Sequence, residues 1–261
     1  MAKIAVIGSG YVGLGTGVIF ADLGNQVVGV DVDAAKVARL QAGECPIFEP
    51  GLEELLGRNL AAGRLSFTGD YAEAVPGADF VFICVGTPAG PHGGADMRYV
   101  REAARAIGRH LAPGRRTIVV NKSTMPIGSG DLVGALVGEC APPGAGWAVV
   151  SNPEFLREGS AVQDMLHPDR VVLGSADRAA AAAVAELYKP FGAPLVLTDL
   201  RTAEMIKYAS NAFLATKISF INEVAGICEA LGADVRQVAL GMGLDGRIGP
   251  QFLRAGIGFG G

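Results

Sequence analysis

Lys207 and Asn211 stand four positions apart in a stretch that is otherwise almost entirely apolar. At i and i+4 on a helix two side chains share a face. An ammonium beside a carboxamide makes a pair of donors for a developing oxyanion; the competing reading is a polar stripe on the exposed side of an apolar rod. A second concentration of reactive groups is Asn152-Pro153-Glu154-Phe155-Leu156-Arg157-Glu158-Gly159, which puts two carboxylates and an arginine into one short loop after an apolar run. Glu154 and Glu158 are suited to position water or act as general base, although a solvated loop carries such charges as well. Two further loops, Gly86-Thr87-Pro88 and Asn121-Lys122-Ser123-Thr124-Met125-Pro126, also follow apolar runs. Each stands where ligands of open α/β sheets bind, outside the carboxyl end of a strand. Each also reads as ordinary turn chemistry.

The amino terminus carries a phosphate-binding pattern. Gly8, Gly10 and Gly13 follow the short apolar run Ile4–Ile7 and open a helical stretch to about Gly24; a second run, Gln26–Val30, ends at Asp31. Glycines in this strand–turn–helix context let the backbone turn and approach a pyrophosphate, whose charge meets the amino end of the helix. Asp31 can accept hydrogen bonds from ribose hydroxyls and would repel a 2′-phosphate, so the cofactor expected is NAD and not NADP. Lys36 is within reach of the same ribose from the next helix, or is simply a solvated lysine.

These residues need a frame. Further apolar runs bounded by turn residues occur at Leu65–Thr68, Phe80–Val85, Thr117–Asn121, Ala148–Ser151, Val171–Gly174 and Leu195–Leu197, with helix-like segments such as Met97–Leu111 and Ala176–Lys189 between them. Strands alternating with helices predict an α/β, Rossmann-type, doubly wound and mostly parallel sheet, covered on both faces. That NAD-binding domain is expected over residues 1–199. From Leu200 to about Gly232 only Gly226 interrupts a helical pattern, which predicts a connecting rod of roughly 45 Å. Its apolar residues, among them Met205, Phe213, Phe220, Ile221, Ile227 and Leu231, cover more than one stripe. A helix of that kind is buried on several sides, by a further domain or by a second subunit, so a homodimer through this helix is expected. Beyond Asp245 the chain is glycine-rich and reads as the start of a substrate loop.

Composition removes several classes. Half of the residues are hydrophobic and only 18% are charged, enough for a packed core and unlike a disordered chain. The net charge of -4, with no Lys/Arg cluster among aromatics, argues against a nucleic-acid partner. Cys45, Cys84, Cys140 and Cys228 are far apart, without CxxC or Cys/His spacing, and there are three histidines. No metal site is expected, and the thiols read as reduced in a cytoplasmic protein. The uncharged run between Lys3 and Asp22 is long enough to suggest a leader or a membrane span, but it holds Gly8, Gly10, Gly13, Gly15 and Gly17 and no small-residue cleavage site follows. No membrane association is expected.

Six blocks, in order, resemble the UDP-glucose 6-dehydrogenases of the nucleotide-sugar dehydrogenase family. They are Ile7 to Leu14, Val85 to Pro88, Asn121 to Pro126, Asn152 to Gly159, Lys207 through Asn211, and Arg247-Ile248-Gly249 on to Phe259-Gly260-Gly261. The resemblance runs over essentially the whole chain, with Met125 where valine is common and Ser129 where threonine is. It implies oxidation of UDP-glucose at C6 to UDP-glucuronate in two steps, reducing two NAD, through a cysteine thiohemiacetal and a thioester. By the same resemblance Lys207 and Asn211 stabilise the oxyanions, and Thr124 with a water, together with Glu154 or Glu158, manages protons and hydrolysis. Gly8, Gly10, Tyr11, Val12, Gly13, Asp31, Lys36, Gly86, Thr87, Thr124 and Glu158 contact NAD. The sugar nucleotide is met by Glu154, Phe155, Leu156, Arg157, Glu158, Lys207, Asn211 and Arg247, and by the backbone of the tail at Phe252, Gly256 and Gly260.

In relatives the glycine pair is followed shortly by the nucleophilic cysteine and a carboxyl-terminal domain that completes the uridine site, so both are expected to lie outside these 261 residues. Cys84, expected inside a strand, and Cys228, on the rod, are poor substitutes. Three alternatives stay open: a non-catalytic module binding NAD(H) or a nucleotide sugar; a dehydrogenase of UDP-N-acetyl-mannosamine or GDP-mannose; and a 3-hydroxyacid-type dehydrogenase, which normally carries a Gly-Ser-Gly loop in place of Lys122 to Pro126.

Overall fold

The computed structural model describes residues 1–90 and 93–257. In chain order the elements are β1 (Lys3–Ile7), α1 (Tyr11–Asp22), β2 (Gln26–Val30), α2 (Ala34–Gln41), α3 (Leu52–Ala61), β3 (Leu65–Thr68), α4 (Tyr71–Ala74), β4 (Phe80–Ile83) and α5 (Arg98–His110). There follow β5 (Arg116–Asn121), α6 (Ser129–Cys140), β6 (Gly146–Ser151), α7 (Ala161–Leu166), β7 (Val171–Gly174), α8 (Arg178–Tyr188), β8 (Leu195–Thr198), α9 (Leu200–Leu231) and α10 (Val235–Gly243). The strands form one sheet in the order β3-β2-β1-β4-β5-β6-β7-β8. Every pairing is parallel except β6 with β7, which meet antiparallel at Ser151 and Gly174. The expected Rossmann-type sheet followed by a long helix is what forms.

The central strands read as continuous apolar runs because both faces are covered, whereas β8, at the sheet edge, leaves Leu195, Val196 and Leu197 exposed. Alternation sends Ile4, Val6, Phe82, Val120 and Val150 into one core with Leu14 and Val18 of α1 and Leu52 and Leu56 of α3. Ala5, Ile7, Val81, Ile83 and Val119 face the other core, under Val100, Ala104 and Ile107 of α5 and Val133 and Val137 of α6. Asp33, Asp70, Asp177 and Asp234 each accept a backbone N–H in the first turn of the helix that follows, the usual role of a short acid at that position.

One expectation needs correction. β4 ends at Ile83, so Cys84 lies just past the strand and not inside it. Its N–H still donates to Ile7 O at 2.8 Å, but the chain must leave the ladder there to pass beneath the glycine turn. Residues 235–243, not assigned from sequence, form α10. The chain divides into two compact units, Met1–Met205 and a second beginning at Ile206. The root of α9 therefore belongs with the sheet: a Cβ on Gly174 would lie 2.3 Å from Asp199 O and 2.5 Å from Ala203 Cβ, a close approach only glycine permits. Among the described residues no helix is long and apolar enough to cross a membrane.

Candidate functional site

The strand order reverses between β1 and β4, and the turns after these two strands lie side by side at their carboxyl ends. Gly8 leaves β1 with φ +95°, and a Cβ there would sit 2.8 Å from Cys84 O. Gly13, in the first turn of α1, is tighter still: its Cβ would fall 1.8 Å from Gly8 O. Gly10 differs, since nothing lies within 4 Å of where its Cβ would project. It is the N-cap of α1 and provides no side-chain hydrogen bond. The first N–H groups of a helix have no partner within it, so the open space over Gly10 faces uncapped donors at the positive end of the helix. Val12 is the second residue of that helix.

Asp31 follows β2 and is buried. Its Oδ2 accepts from Ser9 N–H at 2.9 Å and from the Lys36 ammonium at 2.9 Å, and its Oδ1 accepts from Asp33 N–H at 3.0 Å. Burial pushes its pKa up, but the bonds from Asp33, Lys36 and Ser9 outweigh that effect and hold the carboxyl below its ordinary range. A fixed carboxylate with lone pairs to spare results. Lys36 is thus tied to Asp31 and is not a freely solvated lysine.

Three loops meet beyond β4, β5 and β6. Thr87 Oγ1 donates to Thr124 O at 2.8 Å, which ties the loop after Gly86 to the loop after β5. Thr124 Oγ1 in turn donates to Glu154 Oε1 at 3.3 Å, and Glu154 Oε2 accepts from Leu156 N–H at 2.6 Å. The hydroxyl and carboxylate singled out from sequence are therefore brought together. Glu158 is exposed and its charge acts on Tyr11. Arg157 is engaged locally, donating from Nη2 to Asp164 Oδ1 at 2.5 Å and from Nε to Asp164 Oδ2 at 3.1 Å. Phe155 lies under the Arg170 guanidinium, 3.9 Å from ring centroid to Cζ.

Several residues that matter here were given no role of their own from the sequence. Lys122 is buried, and its ammonium donates to Asn152 Oδ1 and to the Tyr188 hydroxyl, each at 3.1 Å. The Tyr188 hydroxyl donates to the same Asn152 oxygen at 2.5 Å. Glu204, at the root of α9, caps α6: its carboxylate accepts from Gly128 N–H at 2.6 Å and Gly130 N–H at 2.7 Å, and from Ser151 Oγ at 3.3 Å. An acid three residues before Lys207 in an apolar stretch was the available signal. Glu49 is buried and accepts from Tyr11, Gly159 and Ala161; nothing in the local sequence marks it.

In the second unit Lys207 is buried and Asn211 exposed. Arg247 is exposed and forks onto Asp245, with Nη2 to Oδ2 at 2.7 Å and Nε to Oδ1 at 3.0 Å. Phe252 adopts φ +63°, uncommon for a bulky residue. Gly256 N–H donates to Asn222 Oδ1 at 2.8 Å, which ties the tail to α9. Gly260, expected in the substrate loop, lies outside the described residues.

Residues 2–192 match the model of the UDP-glucose/GDP-mannose dehydrogenase family, NAD binding domain, and residues 201–261 match the same family's central domain. The chain belongs to the UDP-glucose/GDP-mannose dehydrogenase family. It is 54% identical over 261 residues to UDP-glucose 6-dehydrogenase TuaD of Bacillus subtilis (strain 168), covering 100% of this chain and 56% of that protein. Among solved structures, the UDP-glucose dehydrogenase of the archaeon Pyrobaculum islandicum gives a TM-score of 0.96 at 51% identity, covering 100% of this chain and 61% of the other. GDP-mannose dehydrogenase from Pseudomonas aeruginosa gives 0.91 at 37% identity, covering 99% and 61%. The chain thus spans between 56% and 61% of the length of these relatives.

Membership sets aside the 3-hydroxyacid alternative and names NAD as the cofactor of the first domain. The residues present fit it. The open cradle at Gly10, uncapped helix donors and a fixed carboxylate at Asp31 are what a dinucleotide's pyrophosphate and adenosine ribose require. A 2′-phosphate would meet the charge of Asp31.

Proposed function

We propose that this chain supplies the NAD-binding domain and the connecting helix of a UDP-glucose 6-dehydrogenase, which oxidises the C6 alcohol of UDP-glucose to the carboxylate of UDP-glucuronate in two steps and four electrons. The observation that carries the reading is the dinucleotide cradle at the switch point of the sheet, with Thr124 bonded to Glu154 in an adjoining loop. Relatives named for UDP-glucose are 54% and 51% identical, against 37% for one named for GDP-mannose, which supports the choice of sugar nucleotide.

NAD, when bound, supplies the hydride acceptor. The Gly8–Gly13 turn binds its pyrophosphate through backbone N–H groups, and Asp31 orients its ribose. Gly86 and Thr87 border the same crevice. The Thr124 hydroxyl and the Glu154 carboxylate, 3.3 Å apart, hold a proton between them and can orient water for hydrolysis of an acyl intermediate. Glu158 is the second carboxylate for that role. Lys207 and Asn211 present an ammonium and an amide to an oxyanion. Cys84 is no candidate for the covalent nucleophile: burial pushes its thiol up to about 12. Arg247 and the backbone at Phe252 and Gly256 reach the sugar nucleotide. The protein acts in the cytoplasm as a homodimer through α9, a reading supported by Phe213, Phe220 and Ile227, exposed at intervals of one heptad.

The test is a fluorescence titration with NADH and with NADPH, followed by turnover of UDP-glucose in a form extended to the length of the relatives. Saturable NADH binding and much weaker NADPH binding are expected; equal affinities would overturn the role of Asp31. In the extended form Lys207→Ala should lower kcat by roughly 100- to 1,000-fold, the value of one well-placed oxyanion donor, with little change in NADH affinity. An equal loss of NADH binding would assign Lys207 a structural role instead.

A further inference from the structure

Glu49 takes no part in the chemistry proposed above, yet its carboxylate is among the most heavily bonded groups of the first unit. It lies in the segment between α2 and α3 and is only 6% exposed. Its Oε2 accepts from the Tyr11 hydroxyl at 2.6 Å and from Gly159 N–H at 2.9 Å, and its Oε1 accepts from Ala161 N–H at 2.6 Å. The phenol has one proton. Its bond to Glu49 is shorter than its 3.0 Å approach to Arg157 O, and a charged acceptor is the stronger partner. The phenol oxygen itself accepts from Gly159 N–H at 3.1 Å. Burial and the bond to Glu49 raise the Tyr11 pKa well above its ordinary value, so the proton stays on the phenol.

These donors come from two places that the sequence holds far apart. Tyr11 is the first residue of α1, inside the glycine turn. Gly159 closes the loop that carries Glu154 and Glu158, and Ala161 opens α7. A buried carboxylate is costly unless its oxygens are satisfied. Here Ala161 N–H serves Oε1, while Oε2 takes one donor from the turn, Tyr11, and one from the loop, Gly159, so the full set of bonds forms only at one relative placement of turn and loop. The demand is strict because Gly159 adopts φ +81°, so the loop reverses at the very N–H that Glu49 holds.

We infer that Glu49 is a positioning residue: it registers the Glu154–Gly159 loop against the dinucleotide turn, acting through Tyr11 and the backbone of Gly159 and Ala161. The inference rests on the reading that this turn takes NAD. It predicts that the dinucleotide and the acidic loop communicate through one carboxylate that contacts neither dinucleotide nor sugar.

The experiment compares the 261-residue chain with Glu49→Gln, Tyr11→Phe and the double variant, by NADH titration and by amide hydrogen exchange at Gly159 and Ala161. Glutamine keeps the shape but presents one acceptor oxygen in place of two. Exchange at both amides should accelerate by roughly 10- to 100-fold, as for loss of hydrogen bonds to a charged group, and NADH affinity should fall by about 10-fold. In the Tyr11→Phe background the further effect of Glu49→Gln on NADH should shrink below about 2-fold, because the two residues act as one unit. Where Glu49→Gln does not fold, Glu49→Asp, which keeps the charge but shortens the reach, carries the same measurements. Exchange and affinity within about 2-fold of the unsubstituted chain, with only a lower melting temperature, would reduce Glu49 to a structural staple and overturn the inference. Failure of the unsubstituted chain to bind NADH would instead defeat the cofactor reading, a result the exchange data keep separate.

Discussion

The two units of this chain handle their apolar residues in opposite ways. In the first, Phe82, Ile4, Ile7, Leu14, Leu52 and Leu173 are almost wholly removed from water, and helices cover both faces of the sheet. In the second, Ile221 and Cys228 are buried, but Phe213, Phe220, Ile227, Leu231, Leu240 and Leu244 are between 52% and 79% exposed. A sheet wound by its own crossover helices closes its core from within the chain. A single long helix with a wide apolar surface does not, and exposed apolar surface of this extent marks an interaction site. The first unit closes most of its core from within, leaving Leu195, Val196 and Leu197 of β8 exposed at the sheet edge. The second leaves many of its large apolar side chains in water.

The largest test of that contrast is Gly13→Ala. A Cβ at 1.8 Å from Gly8 O cannot be relieved by a side-chain rotation, because the obstacle is backbone. The variant should lose more than about 4 kcal/mol, in the range reserved for severe steric and backbone effects. Circular dichroism melting and NADH titration would show it; a well-folded, NADH-binding Gly13→Ala protein would mean the first unit has slack after all.

A smaller effect is expected from Phe213→Glu with Phe220→Glu. If a second copy covers this face, removing two aromatic anchors should weaken self-association by at least about 100-fold, since each such anchor is commonly worth 2 kcal/mol or more. The melting of the first unit should not move. Sedimentation over a concentration series measures both species, and self-association unaffected by the charges would remove the helix from the interface.

The smallest effect sharpens the description of the first unit. Asp31 is held below its usual pKa of 3.8, so its bonds to Ser9, Asp33 and Lys36 are strongest while it is ionised. That contribution is fully present above 3.8 and is lost as the pH falls through the lower folded value. NADH affinity and stability should both decline on that acid limb, and Asp31→Asn should flatten it. A limb unchanged in Asp31→Asn would place the titration elsewhere.

Much of the first unit was legible from residue pattern. Gln26–Val30, Leu65–Thr68 and Val171–Gly174 form strands over the limits their apolar runs suggest, and α9 runs Leu200–Leu231, close to the stretch free of helix breakers. The misreadings have physical causes. Phe80–Val85 looks like one strand, but the ladder ends at Ile83 because the chain must clear the turn at Gly8. The partner of Arg157 was not legible in its loop: Asp164, one turn into α7, binds its fork. Lys122 reads as a turn lysine, yet Asn152 and Tyr188 close over it.

What the residues alone determined was local: where strands and helices begin, where only glycine is tolerated, and that an acid follows the second strand. Those features depend on periods of two and 3.6 residues and on turn chemistry, which are written in neighbouring positions. Which carboxylate does what was decided by the tertiary structure. Glu49 meets Gly159 across 110 positions, and Gly159 meets Tyr11 across 148. Glu204 caps a helix that begins 75 residues earlier, its carboxylate shared between amides 74 and 76 positions away. Only the winding of the sheet brings such groups within bonding distance, and only burial there makes their bonds obligatory.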